Sequence, residues 1–115
     1  GIFPIMHTIA MRRDIFEKHP WAAMNLVTAF EESKRRSITR ITNVTASQIA
    51  VPWLNYDAEV VTKSVFGNDW WPYGIDKNRN TLEAFLQYGY EQGTLHRKLN
   101  PEDLFPKELQ HFFKY

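Results

Sequence analysis

Gly1-Ile2-Phe3-Pro4-Ile5-Met6-His7-Thr8-Ile9-Ala10-Met11 opens the chain, and its reading decides the fold class. The run is rich in bulky and β-branched apolar residues, with little of the polar alternation that marks a strand wetted on one face. Near-continuous hydrophobicity over this length predicts a strand at residues 2–11, buried on both faces as in a parallel sheet. A strand cannot satisfy its own backbone N–H and C=O groups, so it requires neighbours. No other segment reads as a comparably strong strand. The expected class is therefore α/β: one N-terminal strand followed by mostly helices, residues 1–115 forming the tail of a larger α/β domain.

Outward from this run the pattern turns helical. Arg12 to His19 suits a short helix entered through Asp14. His19 precedes a proline, which disfavours α geometry there, and Pro20 is well placed as a first helical residue. Ala22, Ala23, Leu26, Val27 and Phe30 then recur at three- and four-residue spacing before Glu31, Glu32, Lys34 and Arg35 take over, predicting a helix over about 20–39. Asn55 is the expected cap of a second helix, about 56–66, with Ala58, Val61 and Val65 on one face and Gly67 at its end. Asn68 to Gly74 reads as an aromatic loop. A third helix, about 77–92, starts at Asp76 or at Asn80 with Glu83 as its capping-box partner, and Gly93 ends it. Asn100-Pro101-Glu102-Asp103 caps a last helical stretch over about 101–113, interrupted at Pro106.

Composition narrows the function classes. Fourteen Lys and Arg against thirteen Asp and Glu give a net charge of +1, too little to gather nucleic acid at long range, and the basic residues form no stripe. The densest basic group, Lys34-Arg35-Arg36 with Arg40, falls late in a helix, where cations complement the dipole. The chain has no cysteine, which excludes disulfides, thiolate metal sites and a cysteine nucleophile. No apolar run approaches the length of a membrane span. His7, His19, His96 and His111 lack metal-ligand spacing, and there is no phosphate loop or nucleophile elbow. Neither a metal nor an organic cofactor is expected.

Several motifs carry a family resemblance. Gly1 to His7, Arg12-Arg13-Asp14, Glu17-Lys18-His19-Pro20-Trp21 and Ala29-Phe30-Glu31-Glu32-Ser33-Lys34 are similar to the late segment of 4,5-dihydroxyphthalate decarboxylase-like proteins. Trp71-Pro72-Tyr73-Gly74-Ile75-Asp76-Lys77-Asn78-Arg79, Leu82-Glu83-Ala84-Phe85, Glu91-Gln92-Gly93 and Asn100 to Phe105 continue the likeness in order. The resemblance implies the C-terminal part of a type 2 periplasmic-binding-protein-like fold, two α/β lobes with a ligand cleft. The implied reaction is non-oxidative decarboxylation of an aromatic dicarboxylate to protocatechuate, in the cytoplasm. A ligand-binding protein of the periplasmic solute-binding class, holding an aromatic acid or other anion, is the alternative on the same fold.

Within that resemblance His7 is the expected proton carrier, because histidine exchanges a proton near neutral pH and its strand would cross near the cleft. A histidine hydrogen-bonded in a buried strand is the other reading. Arg79 and Asn78, early in a helix, offer a cation and N–H groups to a substrate carboxylate; surface capping and helix solvation is the other reading, and the one favoured by residue type alone. Trp71 and Tyr73, with Trp70, have the rings to wall an aromatic acid or to plug a core. The expected partner is a small aromatic carboxylate, with no nucleic acid and no membrane. Alone, the segment is expected to be inactive and to self-associate through an exposed strand or an apolar helix face.

Overall fold

A computed structural model of the chain describes residues 1–3, 5–45 and 50–110. It divides into two compact units, one of Arg12–Trp71 and one joining Gly1–Met11 to the stretch from Pro72 onward.

The expected strand at 2–11 is not formed, and no strand occurs among the described residues. The α/β assignment is therefore corrected: the described residues are mostly helical, and no sheet of a periplasmic-binding-protein-like fold is formed among them. The physical reason is the lack of a partner. Strand geometry is held by ladder bonds to a neighbour, and no other segment among the described residues supplies one. Phe3 N–H instead donates to Thr81 Oγ1 at 3.0 Å, while Ile2, Met6 and Ile9 stand 59 %, 73 % and 68 % exposed.

In the Arg12–Trp71 unit, α1 (Arg13–Lys18) and α2 (Pro20–Thr42) meet at His19. Its φ of −139° and ψ of 60° lie outside the α region, which a following proline disfavours. Asp14 lies in the first turn of α1 and is gripped by the Arg12 guanidinium through contacts of 3.0 and 2.6 Å. On α2 only Ala23 of the apolar stripe is buried; Val27 is half-buried, and Leu26 and Phe30 are exposed. Glu32 bonds both Arg35 and Arg36 at 2.7 Å. Lys34 reaches Glu31, Asp69 and the Trp71 carbonyl, tying the aromatic loop back to α2.

The next helix runs as α3 (Leu54–Tyr56), a π-helical stretch (Asp57–Thr62) and α4 (Lys63–Phe66), with Gly67 at the end. Asn55 does not cap it, since it lies inside α3 and is buried. Its amide turns instead to the end of α2, donating to the carbonyls of Ile41 and Asn43. The π-helical stretch also changes which residues face inward. An i→i+5 ladder widens the turn, so Ala58 is followed by Thr62 and Lys63 on the sheltered side. Val61 and Val65, expected beside Ala58, are exposed.

In the other unit, α5 (Ile75–Glu91) buries Ile75, Leu82 and Leu86. It starts at Ile75 after Gly74, so Asn80 is an interior residue rather than a cap. Its C-terminus closes with two linked bonds: Thr94 N–H to Gly89 O at 2.9 Å and Gly93 N–H to Tyr90 O at 3.1 Å. This is a Schellman arrangement, which needs the left-handed backbone that Gly93 adopts at φ +74°. Leu95 folds onto Gly89 so closely that an added Cβ would stand 3.1 Å from its Cδ1.

Beyond α5, the stretch expected at 101–113 is two short 3₁₀ turns, Pro101–Leu104 and Lys107–Leu109, separated at Pro106; residues 111–113 lie outside the described residues. Asn100 N–H donates to the Asp103 carboxylate at 2.9 Å. Gln110 Nε2 bonds the carbonyls of Glu102 and Phe105 and so ties the two turns together.

Candidate functional site

The start of α5 carries the most connected group of polar side chains in its unit. Asn78, on the first turn, donates from Nδ2 to the carbonyls of Pro72 and Gly74, both at 2.8 Å. These bonds bracket Tyr73, which is half-buried, and fix the loop leading into the helix. With both Nδ2 hydrogens engaged, the chemistry left to the Asn78 side chain is that of an acceptor at Oδ1. It suits a ring hydroxyl, not a carboxylate.

Arg79 meets three carboxylates. Nη2 lies 2.5 Å from Glu102 Oε1 and 3.4 Å from Asp76 Oδ1, and Nη1 lies 3.5 Å from Glu83 Oε1. The hydrogen bond it donates to Glu102 raises the Arg79 pKa further above its ordinary value. In return Arg79, and then a backbone hydrogen bond, hold the Glu102 carboxyl below the usual carboxylate range. One cation among three anions leaves the surroundings negative, so an incoming carboxylate must replace Glu102 rather than fill an open position. Asp76 and Glu83 stand three and four residues from Arg79, a spacing at which helix side chains meet, and were legible as partners. Glu102 is 23 residues away, and no local pattern announces it.

His7 belongs to the same unit, in the non-helical opening segment, where it is exposed. Among the described residues it makes no hydrogen bond or ion pair. It is thus not a histidine buried in a strand. Trp71 is exposed and falls in the other unit, where its carbonyl accepts from Lys34 Nζ at 3.2 Å. The structure therefore brings together Tyr73, Asn78 and Arg79 at one helix start. Arg12, a further candidate at the end of the opening run, is engaged by Asp14. No group of three or more His, Asp or Glu that could hold a metal is found among the described residues. Among the same residues, no helix is long and apolar enough to cross a membrane.

By sequence, the chain matches one segment of a longer relative. It is similar to the 4,5-dihydroxyphthalate decarboxylase of Comamonas testosteroni, with 36 % identity over 112 residues. That alignment takes in 96 % of this chain but 34 % of the relative, so the chain spans about a third of that protein's length. No family profile matches the chain. No solved structure matches it either.

Proposed function

We propose that the chain contributes to a non-oxidative decarboxylase of a hydroxylated aromatic dicarboxylate, with 4,5-dihydroxyphthalate as substrate and protocatechuate as product. The observation that carries this reading is the 36 % identity sustained over 96 % of the chain to a protein of that name. The reaction breaks the bond between a ring carbon and one carboxylate. Carbon dioxide leaves, the electron pair stays on the ring, and a proton is delivered to the same carbon. His7 supplies that proton in our reading, since an exposed imidazole can reload from solvent.

Arg79 holds the carboxylate that remains, by exchanging Glu102 for a substrate carboxylate in the same charge-assisted contact. Asn78 Oδ1 accepts from a ring hydroxyl, and Tyr73 bounds the ring. The step as written needs no organic cofactor. We place it in the cytoplasm, within the breakdown of phthalate-type aromatic acids, where fractionation of the source cells tests it.

A chimera tests the reading: the Comamonas testosteroni enzyme with its matching segment replaced by this chain. We expect a folded chimera to convert 4,5-dihydroxyphthalate to protocatechuate. A chimera with native-like circular dichroism that leaves the substrate untouched, while still binding an aromatic acid, would favour a binding protein over an enzyme.

A further inference from the structure

No further inference is drawn: the strongest candidate, the exposed apolar surface of the opening segment at Ile2, Met6 and Ile9 together with Phe85 and Tyr88 on α5, carries none because nothing in the structure shows what covers it.

Discussion

At Arg79 a single guanidinium serves three carboxylates, and the nearest of them, Glu102, lies beyond the helix that carries it. In the structure this group clasps α5 to the 3₁₀ turn at Pro101–Leu104. In the proposed reaction the same guanidinium takes the substrate's carboxylate. Both roles make Glu102 the competitor. Glu102→Gln removes the nearest negative charge, so phthalate should bind the chain several-fold more tightly in a titration followed by NMR. Adding Arg79→Gln should abolish the gain. Phthalate binding that responds to neither change would remove Arg79 from the substrate site. Arg79 and Asn78 are candidates in the sequence through their place at a helix start. The sequence does not reveal that Asn78 spends its donors on Pro72 and Gly74, because side-chain hydrogen bonds to a loop depend on how that loop returns.

Among the elements, α2 shows how local signals suffice until a distant residue intervenes. Pro20, the apolar spacing and the late basic residues mark its course from the sequence, and the structure places the helix at Pro20–Thr42. Its C-terminal carbonyls are met by Asn55, whose type suggests an N-cap but whose buried amide works on another helix. Asn55→Ala should leave those carbonyls without donors and cost about 1–3 kcal/mol, read as a lower urea midpoint at unchanged slope. An unchanged midpoint would show that water replaces the amide without penalty.

Glu32 gives α2 an acid-sensitive element. Hydrogen bonds from Arg35, then Arg36, lower its carboxyl from 4.5 to about 2. A carboxyl depressed in the folded state stabilises fully above its unfolded value, and that contribution fades as pH falls through the folded one. Helicity at 222 nm should therefore decline between about pH 4.5 and 2. Glu32→Gln should flatten this part of the titration, and a variant that titrates like the parent would place the transition elsewhere. The π-helical stretch at Asp57–Thr62 was not legible, since apolar periodicity assumes a constant turn and the wider one moved Val61 and Val65 outward.

Across the whole molecule the imbalance is between apolar content and shelter. Among the described residues, buried apolar side chains are few, Ala23 and Ala58 in one unit and Ile75, Leu82 and Leu86 in the other, while Trp21, Trp53, Met6 and Phe85 are each more than 60 % exposed. The opening run shows why the fold class was misread. Hydrophobicity reports that residues are suited to burial, but a strand also needs a partner, and a partner is a property of the surroundings. We propose that the isolated chain self-associates through these apolar faces. Light scattering behind size exclusion should give a mass above the 13.6 kDa monomer that grows with concentration; a constant monomer mass would contradict it. The most direct test of the decarboxylase reading is carbon dioxide release from 4,5-dihydroxyphthalate, measured for the chain alone, the chimera and its His7→Ala variant. The account predicts none from the chain alone, steady release from the chimera, and a rate lower by roughly 100-fold or more in the variant at unchanged circular dichroism. Release from the chain alone, or equal rates with and without His7, would contradict it.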